Sequence, residues 1–215
     1  MNETGDQTIR RGLKRLAAEV FPGVATGIAF ADGFDVLPEE MSALGNAVPA
    51  RQNEFSAGRT AARGALARAL PIPQGADRAP VWPAGVVGSI SHADDWAIAA
   101  VSSAHRWVGV DLEPDEDLPD EVWDTILLPA EREWLHRQMD PARWAKVIFC
   151  AKECAYKAQY PITRTLFGFE MFAVRLGTGA FSAEFQRDVG LFHRGDRLEG
   201  RFARGAGFIL TGIAG

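Results

Sequence analysis

Two short segments hold the side chains best suited to chemistry. In Val108-Gly109-Val110-Asp111-Leu112-Glu113-Pro114, two carboxylates stand two residues apart after an apolar run. Strand side chains alternate between faces, so Asp111 and Glu113 are expected to point the same way. In Phe149-Cys150-Ala151-Lys152-Glu153-Cys154-Ala155-Tyr156-Lys157, Glu153 and Lys157 stand four apart in a helical pattern, on one face. Three converging carboxylates and a lysine suit a hard divalent cation that holds a phosphate-bearing substrate. Each piece alone also has a plainer reading. Strands often end in acidic turn residues, and an exposed i,i+4 glutamate–lysine pair adds only about 0.2–0.5 kcal/mol to a helix.

A third segment, Gly88-Ser89-Ile90-Ser91-His92, joins small and hydroxyl residues to a histidine at a strand end. Its backbone amides, Ser89, Ser91 and His92 could all donate to a phosphate. A serine–histidine pair also suggests a hydrolase nucleophile and base, but the G-x-S-x-G elbow is missing. Arg51, Arg59, Arg63 and Arg78 supply planar forks of donors that match phosphate geometry. No G-x-x-x-x-G-K-[ST] loop, G-x-G-x-x-G fingerprint or H-E-x-x-H motif occurs.

The elements that must position these groups follow from periodicity. Arg10–Phe21 has apolar residues at helical spacing, and Val24–Phe30 is strand-like. An alanine-rich helix is expected over Glu54–Leu70, ended by Pro71 and Pro73. Ala62, Ala65, Leu66 and Ala69 give its apolar face, which sets Arg59 and Arg63 outward. Three short strands follow at Val86–Ile90, Trp96–Val101 and Trp107–Leu112, then an acidic loop at Asp115–Pro119 that reads as solvated. A helical region spans Pro129–Tyr160, broken near Asp140-Pro141. Within it Trp144, Ile148, Ala151, Ala155 and Ala158 form one apolar stripe. Glu153 and Lys157 lie about 200° and 240° around the helix from Ala151, off that stripe. The remainder is β-rich, with alternation at Phe172, Val174 and Leu176, again at Phe181, Ala183 and Phe185, and a last strand at Phe208–Ile213.

Helix and strands, then helix and strands again, predict an α+β fold of two halves, residues 1–104 and 105–215, with a seam in Ser102–Trp107. A cleft between halves is a common ligand site.

The 215 residues carry a net charge of -5, with 47% hydrophobic and 24% charged residues. That balance suits a globular protein and argues against nucleic-acid binding by bulk charge. No apolar stretch approaches the ~20 residues of a membrane span, and the polar start lacks the pattern of a signal peptide. A cytoplasmic location is expected. Two cysteines, Cys150 and Cys154, are too few for a disulfide framework or a four-cysteine zinc site, and read as small, reduced, helix-packing residues.

In this order, the segments Arg51-Gln52-Asn53-Glu54-Phe55 with Arg59, Arg78-Ala79-Pro80-Val81-Trp82-Pro83, Gly88–His92, Gly109–Glu113, and Phe149–Glu153 with Lys157 resemble the 4′-phosphopantetheinyl transferase superfamily, in its surfactin- and enterobactin-synthetase type. The resemblance runs from Arg51 to Phe169. It implies two similar halves related by a pseudo-twofold, coenzyme A as donor, a serine of an apo acyl or peptidyl carrier protein as acceptor, and 3′,5′-ADP as product. It implies Asp111, Glu113 and Glu153 as ligands of Mg²⁺, with Mn²⁺ as a substitute. Glu153 and Lys157 become the catalytic pair. Ser91, His92 and Lys157 fall at phosphate contacts, Arg51, Arg59 and Arg78 at the donor's nucleotide and 3′-phosphate, and Lys152 within the same motif. Cys154 stands where alanine or another small residue is usual, and is itself small. Two halves in one chain favour a monomer. The competing readings are another Mg²⁺-dependent phosphoryl or nucleotidyl transferase, and a module that binds coenzyme A or a carrier protein without turnover.

Overall fold

The computed structural model describes residues 3–215, with side chains from residue 5 onward. Among the described residues, eight strands form two antiparallel sheets. The first contains β1 (Ala25–Phe30), β2 (Val87–Ala93) and β3 (Trp96–Ser102), in the order β1-β3-β2. The second contains β4 (Val108–Pro114), β5 (Phe172–Leu176), β6 (Ala180–Phe185), β7 (Arg197–Gly205) and β8 (Phe208–Ala214), in the order β4-β8-β7-β6-β5. The helices are α1 (Glu3–Val20), α2 (Pro49–Leu66), α3 (Trp123–Ile126), α4 (Pro129–Leu135) and α5 (Pro141–Thr163). The α+β class expected from the sequence is the class observed.

Both sheets are built by one rule. A strand leads into a long helix (β1 into α2, β4 by way of α3 and α4 into α5), a meander follows, and the last meander strand pairs with the first strand. The second unit has two extra strands. The rule extends to packing. A β-carbon on Gly27 of β1 would lie 2.0 Å from the Ala61 carbonyl oxygen of α2. One on Gly109 of β4 would lie 2.2 Å from the Cys154 carbonyl oxygen of α5. Each helix backbone lies directly on its strand, and only glycine permits that approach.

Strand alternation divides the apolar residues between two sides. Trp96, Ile98 and Ala100 of β3, with Val108, Val110 and Leu112 of β4, join Leu13, Leu16, Ala17 and Val20 of α1 in one core. Helix α1 thus spans the junction of the two sheets. On the other side Ala29, Ala97 and Ala99 pack against Ala57, Ala61 and Ala62 of α2. There too Ile209 and Ile213 pack beside Ile148, Ala151, Ala155 and Ala158 of α5. Of the stripe read on α5, only Trp144 is partly exposed. Cys150 and Cys154 are buried free thiols in this core, as their residue type suggested.

One boundary and one orientation differ from expectation. Helix α2 ends at Leu66, not Leu70, because Ala67 adopts a left-handed conformation (φ 52°) and its N–H caps Arg63 and Gly64 carbonyls. Arg59 and Arg63 do not face outward; both are buried. The segment around the 3₁₀ turn Pro38–Ala43 crosses that side of α2, and Arg63 pairs there with buried Glu40 at 3.0 Å.

Candidate active site

Gly109, Asp111 and Glu113 leave the same face of β4, toward α5, as alternation predicts. Asp111 is 2% exposed and meets Lys157 Nζ at 2.6 Å through Oδ1. Ser91, from β2 of the other sheet, donates to the same Oδ1 at 3.0 Å. Its Oγ accepts from Lys157 Nζ at 3.0 Å and from the Leu112 amide at 3.2 Å. The serine hydroxyl therefore stitches the seam between the two sheets where the charges meet. Asp111 Oδ2 is buried and has no partner. Glu113 is held through Oε2 by Lys146, one helical turn before Cys150, at 2.7 Å.

Glu153 stands half-buried between Asp111, Glu113 and Lys157, without a hydrogen bond or ion pair among the described residues. Burial pushes its carboxyl pKa up, the Asp111 charge pushes the same way, and Lys157 opposes. Burial also raises Glu113, against the Lys146 hydrogen bond. For Lys157 burial favours the neutral amine, but the charge and hydrogen bond of Asp111, with Glu153, outweigh it and raise its pKa. It is a cation at neutral pH. Each lysine is thus matched to one acid, and no three acidic, histidine or cysteine side chains among the described residues gather as a ready metal cage. The chemistry of the set still fits a hard cation: three oxygen donors lie around one seam, and Asp111 keeps a buried, unpartnered oxygen.

His92, next to Ser91, is open to solvent on one side and feels both long helices. Desolvation lowers its pKa, Glu54 raises it, and Lys157 and Arg51 lower it again. Arg51 is exposed and pairs with Glu54 at 3.0 Å. Arg59 is held inside, its Nε donating to the Ile72 carbonyl at 2.6 Å and its guanidinium stacked 4.2 Å from the Phe55 ring. Burial brings its pKa down to about 10, so it keeps its charge. Arg78 lies at the rim of a cavity of about 260 Å³, bounded also by Ser89, Ile90, Tyr156, Lys157 and Tyr160. It adopts a left-handed conformation (φ 68°) in a turn where Asp77 Oδ1 accepts the Ala79 amide at 3.1 Å. Asp77 Oδ2 accepts from the Tyr160 hydroxyl at 3.2 Å and from Arg164, clasping this turn to the end of α5.

Lys152 is elsewhere. Its side chain is 1% exposed, and its ammonium donates to Ile126 O, Glu131 Oε2 and Phe169 O at 2.7, 2.8 and 3.2 Å. An ammonium has three donors, so none remains for a ligand. Lys152, expected within the donor-binding set, instead has its ammonium committed inside the protein, because α5 turns it toward Glu131. Lys146 and Asp77 join the site in addition to the residues expected from the sequence. Lys146 was within reach of the sequence, since residues 146, 150, 153 and 157 share one helical face. Asp77 offered only a turn signal.

Two stretches of the chain match two family models: the 4′-phosphopantetheinyl transferase N-terminal domain over residues 39–102, and the 4′-phosphopantetheinyl transferase superfamily over residues 107–198. The chain belongs to the 4′-phosphopantetheinyl transferase superfamily and is an enzyme of that class. It is 36% identical to 4′-phosphopantetheinyl transferase Npt of Nocardia iowensis, over 82% of this chain and 88% of that protein. It is 38% identical to 4′-phosphopantetheinyl transferase Svp of Streptomyces mobaraensis, over 93% and 89%. It is 42% identical to 4′-phosphopantetheinyl transferase PptT of Mycobacterium tuberculosis, over 72% of each chain. No described helix is long and apolar enough to cross a membrane.

Proposed function

We propose that this chain moves the 4′-phosphopantetheine arm of coenzyme A onto a serine of an apo acyl or peptidyl carrier protein and releases 3′,5′-ADP. The carrying observation is the seam cluster of Ser91, Asp111 and Lys157, with Glu113 and Glu153 beside it and the cavity rimmed by Arg78 opening onto Lys157. Coenzyme A spans a nucleotide and a reactive diphosphate, and the cluster divides in the same sense. Arg51 and Arg78 serve the nucleotide end, and His92 and Lys157 the diphosphate, with the committed Ser91 hydroxyl holding Lys157 and Asp111 in place.

Asp111, Glu113 and Glu153 would hold the Mg²⁺ or Mn²⁺. When bound, the ion supplies positive charge that stabilises the diphosphate. The chain's own residues account for the rest. The acceptor serine oxygen attacks the phosphorus that carries pantetheine, and the bond from that phosphorus to the bridging oxygen of 3′,5′-ADP breaks. Glu153 takes the serine proton, directly or through water. Lys157 stabilises the charge growing on the departing phosphate.

Residues 1–104 and 105–215 act as two halves that meet at this site. The chain acts as a cytoplasmic monomer and binds its carrier through a local patch, since bulk attraction to an acidic carrier conflicts with its own charge of -5.

The test is the intact mass of apo carrier proteins after incubation with the chain, coenzyme A and Mg²⁺. A gain of one phosphopantetheine, abolished by chelator and restored by Mg²⁺, is expected. No gain on any acyl or peptidyl carrier would refute the reading. ATP in place of coenzyme A should give nothing.

A further inference from the structure

Lys152 and Glu153 are neighbours on α5 with opposite fates. Glu153 has no partner among the described residues, while Lys152 spends every donor it has. Its partner Glu131 is equally committed. Glu131 Oε2 accepts from Lys152 and from the Leu128 amide at 2.7 Å, and Oε1 accepts from the Val174 amide at 2.7 Å. One buried ion pair therefore ties together five pieces of chain: the end of α3 at Ile126, the start of α4 at Leu128, α5, the turn at Phe169, and the edge strand β5 at Val174.

Several of these pieces wall a second small cavity, of about 130 Å³, which Lys152 and Glu153 line with Tyr156, Phe167, Phe169 and Phe172. A core that needed only volume at position 152 would take an apolar residue. A buried ion pair is weak evidence for stability, because apolar groups of equal volume often serve as well. What it provides is direction. Three hydrogen bonds from one ammonium fix both the rotation of α5 and its distance from the Phe169 turn, one residue from the acid that must meet the reacting serine.

We infer that Glu131 and Lys152 are positioning residues for the transfer, setting the orientation of Glu153 while touching neither coenzyme A nor the carrier. The inference rests on the transferase reading above. Misplacement of a reacting group by about 1 Å can cost roughly a hundredfold in rate. The pair should therefore act on kcat and leave donor binding alone.

The test uses Lys152→Met, Glu131→Gln, Glu131→Leu and the double variant Glu131→Leu/Lys152→Met. The double variant keeps the volume filled and guards against loss of fold. Three quantities are measured for each: thermal unfolding, coenzyme A affinity by calorimetry, and kcat for carrier modification per folded molecule. The expected result is coenzyme A affinity within about twofold of wild type and kcat lowered tenfold or more in the folded double variant. Glu131→Gln, which keeps an acceptor for Val174, should recover part of the rate lost in Glu131→Leu. Two outcomes would overturn the inference. A tenfold weaker affinity for coenzyme A in Lys152→Met, with kcat preserved, would mean direct donor contact. A lowered melting point with kcat and affinity unchanged would mean a purely structural pair. Wild-type protein that neither binds coenzyme A nor modifies any carrier would instead overturn the transferase reading.

Discussion

Gly109 and Cys154 approach so closely that a β-carbon on the glycine would lie 2.2 Å from the cysteine's carbonyl oxygen and 2.9 Å from the Ala158 β-carbon. That contact sets the height of α5 above β4, and with it the reach of Lys157 to Asp111 across 2.6 Å. The neighbours are helix backbone, which cannot swing aside, so Gly109→Ala must lift the helix. Overpacking costs about 1–3 kcal/mol and sometimes more. A loss near the top of that range, or roughly 6–12 °C in Tm for a chain of this size, is expected in thermal unfolding. Gly33→Ala, which meets no atom within 4 Å, should change stability by less than about 0.5 kcal/mol. Equal Tm values for the two variants would mean that the strand–helix contact is not tight.

The acids should separate by what they touch. Asp111→Ala leaves the Lys157 ammonium with only Ser91, and losing one partner of such a pair costs about 1–3 kcal/mol. Glu153 has the opposite balance. Its folded pKa is raised, so its contribution is favourable below the ordinary carboxylate pKa and is lost as pH rises through the raised value. At neutral pH in chelator the ionised Glu153 is a burden. Glu153→Gln should then raise Tm, with the gain vanishing as pH falls to about 4. Both variants should nearly abolish carrier modification in Mg²⁺. A Tm for Glu153→Gln below wild type at pH 7 would contradict the burial argument.

His92 carries the reverse sign. Its pKa is lowered by desolvation, so the stability it contributes is present above the ordinary histidine pKa and is lost as pH falls through the folded value. Wild type should lose more Tm than His92→Gln between pH 7.5 and pH 5. Parallel losses would show that His92 titrates as in the unfolded chain. At pH 7 the neutral ring offers one N–H donor, so His92→Gln should raise KM for coenzyme A more than it lowers kcat.

Arg51 and Arg59 looked alike in the sequence and differ in the structure. Arg51 is exposed, so Arg51→Ala should raise KM for coenzyme A with Tm nearly unchanged. Dephospho-coenzyme A, which lacks the 3′-phosphate, should suffer much less. Arg59 supports the Ile72 carbonyl and covers Phe55, so Arg59→Ala should lower Tm as well. Equal penalties on both donors in Arg51→Ala would remove its 3′-phosphate role.

What could be read beforehand depended on range. The parity of Asp111 and Glu113 and the helical face shared by Glu153 and Lys157 are local periodicities, and both survive in the structure. Strands β2, β3 and β4 were placed to within a few residues for the same reason. Strand β7 was not singled out, because Glu199, Gly200 and Arg201 interrupt the apolar signal between Leu198 and Phe202. The burial of Arg63 depends on a segment some 20 residues upstream crossing α2, that of Arg59 on the chain returning at Ile72, and no local pattern encodes either. Asp115, read as a solvated loop residue, is tied to Arg204 at 2.9 Å across 89 residues. The fate of Lys152 turned on Glu131, whose carboxylate looks in sequence like any first-turn acid of a helix.

Lys157 gives the sharpest test of the mechanism. Its ammonium is matched to Asp111 and Ser91 in the free protein, so it has a structural partner whether or not it acts in catalysis. Lys157→Met should therefore cost stability, because Asp111 then keeps only Ser91. Stability alone cannot distinguish the two roles, but rate at saturation can. If the ammonium neutralises charge growing on the leaving phosphate, single-turnover transfer with both substrates saturating should fall about a hundredfold or more, as for loss of one transition-state contact. Lys157→Arg should recover only part of this, since its planar fork sets the charge differently over Asp111. A folded Lys157→Met protein within about twofold of the wild-type rate, only about 0.4 kcal/mol of barrier, would reduce Lys157 to a partner that holds Asp111 in place.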